Sequence, residues 1–194
     1  MDLSITQHPA AIMAGFNRQI TSSRGRTLAS ADPEGPHQLR VGLRRLRSGL
    51  ALFRPLLPKG CAKPLEKHAR WLGRETGRLR DLEVLLHETV TPYLRATGGD
   101  MTLAALEQLL RKAAKRQKKQ LVKTLHRKRV SRFLEEAELL SRAGFWSPSA
   151  GYAAVLRDLC GTALDQWQRQ AHDLGRHFKD LDEPARHEFR KTLK

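Results

Sequence analysis

The chain has 194 residues, enough for one domain or two small ones with an ordinary core, so no metal or disulfide is needed to hold it together. Its 36 lysines and arginines exceed its 20 aspartates and glutamates, and the net charge of +16 predicts a polyanionic partner: nucleic acid, inorganic polyphosphate or an anionic membrane surface. The start Met1-Asp2-Leu3-Ser4 lacks a basic signal-peptide region and no apolar run approaches the roughly 18 residues of a membrane span, so we expect a cytoplasmic protein. Of the three candidate partners, the membrane is the one that we do not expect.

Helical periodicity covers nearly the whole chain, and no segment shows the alternation of a strand, which predicts an all-α fold of antiparallel bundles. We place helices at 6–29, 33–54, 61–95, 101–141, 149–178 and 183 onward, separated by Pro and Gly signals. Residues 1–145 are expected to form a first bundle, and residues 146–194 to begin a second, related one within a single pseudo-two-fold domain. Because no helix stop signal precedes Lys194, we expect the second bundle to be incomplete.

The second predicted helix has an apolar face and a cationic face. At about 100° per residue, its cationic residues fall within roughly 80° of one another, on a different face from its leucines. The cationic residues are His37, Arg40, Arg44 and Arg47. Asp32 is placed to cap the free N–H groups at the start of this helix. A helix N-terminus and arginine forks both suit phosphate oxygens, so the pattern predicts a phosphate-rich ligand, the alternative being a solvated basic face.

The fourth predicted helix has the densest charge, with eleven lysines and arginines between Arg111 and Arg132 and no acid there. Lys119 and Lys123 lie on a cationic face that extends for roughly 20 Å. This face could follow an extended polyanion, or it could simply keep an exposed helix soluble.

The cationic pattern of the second helix returns near the end of the chain. His187, Arg190 and Lys194 repeat the spacing of His37, Arg40 and Arg44, and Asp182 precedes its histidine by the same five residues as Asp32. Recurrence of both the cap and the cations favours a site built from two related halves.

These segments together resemble the CHAD family, the conserved histidine α-helical domain. The resemblance rests on residues 32–47, on Trp71-Leu72-Gly73 with the Arg80-Asp81 pair in residues 77–84, and on residues 183–194, although the family's following Leu-Arg-Tyr is missing. It implies two pseudo-symmetric bundles around a basic cavity that binds inorganic polyphosphate, with an association with polyphosphate granules left open. The family's site maps onto His37, Arg40, Arg44, Arg45, Arg47, Arg80, His187, Arg190 and Lys194. We add Lys119 and Lys123 on charge density alone.

The strongest rival interpretation is an RNA- or DNA-binding protein that uses the same basic surfaces. Against it stand missing nucleic-acid-binding motifs and few aromatic residues free to stack on bases, since Phe53, Trp71, Phe133 and Trp167 lie among apolar residues at helical spacing. We predict no catalytic residue, no metal site and no cofactor, because histidines at ligand spacing, a phosphate loop and a Glu-x-Glu-x-Lys motif are all missing. Cys61 and Cys160 are expected to be packing residues. The sequence leaves a homo-oligomer open.

Overall fold

The computed structural model describes residues 9–30, 32–98, 100–142, 146, 152–176 and 178–192. Within these residues every regular element is helical and none is a strand, which confirms the predicted all-α class. The described residues belong to two compact units, 9–146 and 152–192, which are treated separately below. In the described part of the chain, no helix is both long enough and apolar enough to cross a bilayer.

The first unit contains six α-helices. They are α1 (Pro9–Ala29), α2 (Glu34–Leu52), α3 (Ala62–Val84), α4 (Thr91–Ala96), α5 (Met101–Leu125) and α6 (Lys128–Leu139). A 3₁₀ turn, Arg54–Leu56, follows α2, and a π-helical segment, Leu85–Val90, joins α3 to α4. Pro92 near the start of α4 has no N–H to donate to the carbonyl four residues earlier, and the helix widens to π geometry just before it.

The second unit contains α7 (Tyr152–Gly175), a 3₁₀ turn (Phe178–Asp180) and α8 (Glu183–Thr192), and α7 packs against α8. The rings of Phe178 and Phe189 meet at 5.4 Å between centroids, which fixes the 3₁₀ turn against α8. The predicted helices at 149–178 and 183 onward match these elements where the chain is described. The predicted bundle boundary at residue 145 stays a prediction.

One predicted helix is wrong. The segment predicted as a single helix over 101–141 is two helices, because the backbone is extended at Arg127 (φ −67°, ψ 139°) between α5 and α6. The break has a partner on α1: the guanidinium of Arg24 donates from Nε and Nη2 to the carbonyl of Leu125, at 3.1 and 3.0 Å. A cation on the last carbonyls of α5 stabilises the end of that helix.

Four of the helices close a ring, with α1 packed on α2, α2 on α3, α3 on α5, and α5 on α1. Neighbours run antiparallel, as predicted: Gly35 and Gly42 of α2 meet Thr27 and Ile20 of α1 in descending order. Gly42 allows the close approach, since a Cβ there would lie 2.9 Å from Ile20 Cγ1. The leucine face of α2 points into the ring and is at most 1% exposed; it consists of Leu39, Leu43, Leu46 and Leu50.

The aromatic residues divide between core and surface. Phe53 and Phe133 are buried, as their spacing predicts, and Trp146 packs edge-on against Phe53 while its Nε1 donates to the Leu140 carbonyl. Trp71 is half-buried beneath the Arg129 guanidinium, 4.1 Å from its ring centroid. Trp167 on α7 is 49% exposed, so the prediction that it lies among buried apolar residues is wrong.

Candidate functional site

The start of α2 is held by Asp32. Its Oδ1 accepts the Glu34 N–H at 2.9 Å, and its Oδ2 pairs with Arg26 Nη2 of α1 at 2.8 Å. The backbone N–H and then the Arg26 guanidinium hold the pKa of Asp32 below its usual value, so the carboxylate stays ionised at the helix start. Asp32 thus accepts one of the free N–H groups at the start of α2, as predicted, from the position before the N-cap residue Pro33.

Three of the predicted arginines project from α2 on the side that faces α3. Arg40, Arg44 and Arg47 are exposed, and together with α3 they form the wall of a depression of about 210 Å³. Their spacing of four and three residues places the three side chains over about 10 Å of helix. The leucines one position away on the helix are buried, so burial of one face orients the cations of the other.

Helix α3 supplies the opposite wall. Arg70 and Arg74 line the same depression, together with Ala69 and Gly73. Arg40 Nη1 donates to the Gly73 carbonyl at 3.3 Å, and its guanidinium lies directly over Gly77, where an added Cβ would overlap it. The small residues of α3 therefore provide the space in which the Arg40 side chain crosses between the helices.

A second depression continues the first toward the end of α2. Arg44, Arg47 and Arg70 line both, and the second adds Arg54 and Glu66. Arg54 Nη2 pairs with Glu66 Oε1 at 2.5 Å. We call the two depressions together the α2/α3 groove; the arginines that line it are Arg40, Arg44, Arg47, Arg54, Arg70 and Arg74.

Charge in the groove is almost uncompensated. Arg44, Arg47, Arg70 and Arg74 form no ion pair with any residue that the structure describes, while Arg54 is paired with the groove's one lining acid, Glu66. Guanidinium groups repel one another and present several donors each, so the groove offers a strong field and free hydrogen bonds to an anion.

Two other predicted arginines point elsewhere. Arg45 leaves α2 on the α1 side, where its Nη1 donates to Gln19 Oε1 at 2.9 Å. Arg80 pairs with Glu88 of the π segment at 2.7 Å. His37 is half-buried and is not among the residues lining the groove. Arg40 of α2 contacts Gly73 and Gly77 of α3, and the two helices are antiparallel. His37, one turn before Arg40, and Arg80, one turn after Gly77, therefore lie at the same level of the bundle.

The remaining predicted cations lie on other elements. Lys119 and Lys123 are exposed on α5 and do not line the groove. His187 and Arg190 are exposed on α8 in the second unit, and Lys194 lies outside the described residues. At the start of α8, Asp182 Oδ1 accepts the Ala185 N–H at 2.9 Å, so this aspartate also caps its helix.

Arg54, Arg70 and Arg74 were not predicted as site residues. Two signals in α3 could have indicated Arg70 and Arg74 as site residues: their i, i+4 spacing, and the small residues Ala69, Gly73 and Gly77 on the adjoining face. Nothing in the sequence alone says that this face meets the cationic side of α2. Among the described residues, no group of three or more His, Cys, Asp or Glu could hold a metal ion.

Comparison with known proteins identifies the family. A family model described as the CHAD domain matches residues 11–194. The chain belongs to the CHAD family. CHAD domains in general bind polyphosphate and are binding domains, not typically catalytic. The crystal structure of the CHAD domain from the plant Ricinus communis is similar at 28% identity and a TM-score of 0.74. The match covers 94% of this chain and 60% of that one. No curated protein matches the chain.

Proposed function

We propose that this CHAD domain binds inorganic polyphosphate, without catalysing a reaction, in the α2/α3 groove. The observation that carries the proposal is the double row of arginines: Arg40, Arg44 and Arg47 from one helix oppose Arg70 and Arg74 from the next. Of these five, only Arg40 has a hydrogen bond to another described residue, and its partner is a neutral carbonyl.

The chemistry of the groove matches a chain of phosphates. Polyphosphate repeats one charged unit and has no base edges or sugar, so its site needs cations in register and little else. Arginine forks bind phosphate oxygens in pairs, and each phosphate that they neutralise releases counterions. The groove provides such forks from two sides and no aromatic lining residue for base stacking.

The other predicted cations belong to a wider surface in this proposal. His37 and Arg80 lie beyond the groove on the side of the start of α2, and they contribute to the positive potential around it, as do Arg45, Lys119 and Lys123. His187, Arg190 and Lys194 form the second half of the predicted site. The proposal includes a cytoplasmic location and an association with polyphosphate granules, and it holds whether or not the chain forms a homo-oligomer.

Competition binding separates polyphosphate from nucleic acid. Labelled long-chain polyphosphate would be bound at physiological salt and displaced with unlabelled polyphosphate, RNA, DNA, heparin or triphosphate at matched phosphate concentration. Displacement by polyphosphate alone supports the proposal. Equal displacement by RNA or DNA would make the chain a general polyanion binder and favour nucleic acid as the partner.

A triple variant locates the site. Arg40→Gln, Arg44→Gln and Arg47→Gln together should abolish binding and leave the helical content unchanged, because all three side chains are exposed. Three exposed arginines outside the groove provide a matched control with the same loss of charge: Arg95→Gln, Arg132→Gln and Arg142→Gln. Binding that survives in the first variant, or falls equally in both, would exclude the groove as the site.

A further inference from the structure

Arg80 is the next cation of α3 beyond the groove. The Arg40 guanidinium lies over Gly77 of α3, and Arg80 follows Gly77 by three residues. Residues three apart are neighbours on the surface of a helix. The Arg80 side chain is 31% exposed, so it is accessible to an anion in solvent. A polyanion that leaves the groove past Arg40 therefore comes next to Arg80.

Unlike Arg44, Arg47, Arg70 and Arg74 in the groove, Arg80 is neutralised by an acid. Its Nη2 donates to Glu88 Oε1 at 2.7 Å. The Glu88 side chain is 58% exposed, so its negative charge also repels an anion that approaches Arg80 from solvent. In the free protein a carboxylate therefore occupies the position on the guanidinium that a phosphate oxygen would take.

The identity of the paired acid is unusual for a helix. Glu83 is only three residues from Arg80, which is a common spacing for an ion pair on a helix. Glu83 is buried, and burial raises its pKa against the opposing charges of Arg80 and Lys118. Arg80 nevertheless donates to Glu88, eight residues further along the chain.

The π-helical segment Leu85–Val90 explains how Glu88 reaches Arg80. In a continuous α-helix, residues eight apart lie about 80° apart around the axis. A π-helix closes its hydrogen bonds over five residues instead of four, so it turns less per residue. The smaller rotation brings Glu88 toward the side of the helix on which Arg80 lies. Single π turns inside helices are frequent at functional sites.

We propose that Glu88 is an internal competitor of polyphosphate for Arg80. The π segment thereby determines how strongly the protein attracts the part of a polyphosphate chain that extends beyond the groove. This inference rests on the proposed binding of polyphosphate in the α2/α3 groove. Exposed ion pairs contribute little to stability, so removing Glu88 should free Arg80 without disturbing the fold.

Glu88→Gln tests the proposal, because it removes the charge and nearly keeps the shape of the side chain. Binding of labelled long-chain polyphosphate would be measured by fluorescence anisotropy at several salt concentrations. One additional phosphate contact at Arg80 should steepen the slope of log affinity against log salt by about 0.7, and raise affinity about fivefold at about 0.1 M salt.

Glu75→Gln is the matched control on the same helix. It makes the same change in net charge and releases Arg78, which is 64% exposed and does not line the groove. Polyphosphate affinity should therefore rise by less than about twofold in this variant, through the general field alone. An equal gain in Glu75→Gln and Glu88→Gln would overturn the proposal.

A double-mutant cycle shows whether Glu88 acts through Arg80. In the Arg80→Gln background, Glu88→Gln should give no gain in polyphosphate affinity. The same gain in both backgrounds, or no gain in the single variant, would overturn the proposal. The wild-type chain and the triple variant of Arg40, Arg44 and Arg47 belong in the same assay. No wild-type binding, or undiminished binding by the triple variant, would overturn the proposed function and this inference with it. Groove-dependent binding without a gain in Glu88→Gln would overturn this inference alone.

Discussion

Removing the α3 wall of the groove is the sharpest test of where polyphosphate binds. The double variant Arg70→Gln with Arg74→Gln changes two arginines that the family resemblance did not identify. Both are exposed and form no ion pair with a described residue, so the free energy of unfolding should change by only about 0.5 kcal/mol per site. Any large effect on binding then reports the ligand contact.

Counterion release sets the size of the effect. If the five arginines of the first depression each contact a phosphate, log affinity should fall with log salt at a slope of about −3.5, at about −0.7 per contact. Removing two contacts should reduce the slope to about −2.1. At about 0.1 M salt, the two lost contacts amount to about 1.4 log units, a loss of affinity of about 25-fold.

Fluorescence anisotropy of labelled polyphosphate across a series of salt concentrations measures both quantities. The matched control removes the same charge from outside the groove: Arg78→Gln with Arg95→Gln, where Arg78 is exposed and paired with Glu75 at 3.3 Å. An unchanged slope in the double variant, or an equal loss in the control, would refute the reasoning, because net charge and not the groove would then determine affinity.

Three further variants test the packing behind the groove. Gly77→Ala should weaken polyphosphate binding several-fold in the same assay without lowering the melting temperature, because the added methyl displaces the Arg40 guanidinium. Gly25→Ala is the control: it has open space around it and should leave polyphosphate binding unchanged. Leu46→Ala should cost about 2–5 kcal/mol in urea denaturation, and an equal cost for half-exposed Leu139→Ala would contradict this. His68→Gln should flatten the loss of stability below pH 6.5. Burial, and then the Arg129 charge, lower the pKa of His68 in the folded protein. The stability that neutral His68 contributes is therefore present above pH 6.5 and is lost as pH falls through the folded-state pKa. Unfolding midpoints at several pH values measure it, and an unaltered profile would contradict the assignment.

The faces of α2 follow from the sequence alone. A period of 3.6 residues divides leucines from arginines, and burial of Leu39, Leu43 and Leu46 confirms the division. The directions of individual arginines do not follow, because Arg44 and Arg45 are sequence neighbours about 100° apart. Only the packing of α2 between α1 and α3 sends Arg44 into the groove and Arg45 to Gln19.

The break between α5 and α6 shows another limit. No glycine or proline lies near His126 and Arg127, so the local sequence carries no stop signal. The helix ends where Arg24, a hundred residues earlier, donates to the Leu125 carbonyl. The opposing arginines of α3 are a similar case, because their role depends on how α3 is aligned with α2. Contacts between distant segments set both features.

Two facing rows of arginines with no acid between them distinguish the groove from the cationic face of α5, whose cations all come from one helix. Five arginines that lie on or near helices are neutralised by described acids: Arg26, Arg54, Arg78, Arg80 and Arg111. The groove keeps one such pair at its end, and its other arginines face each other without an acid between them. Mutual repulsion of those guanidinium groups opposes the packing of α2 on α3, and a bound polyanion would relieve it. Binding of polyphosphate in the groove should therefore stabilise this helix pair, which a general attraction to the net charge of +16 would not do selectively.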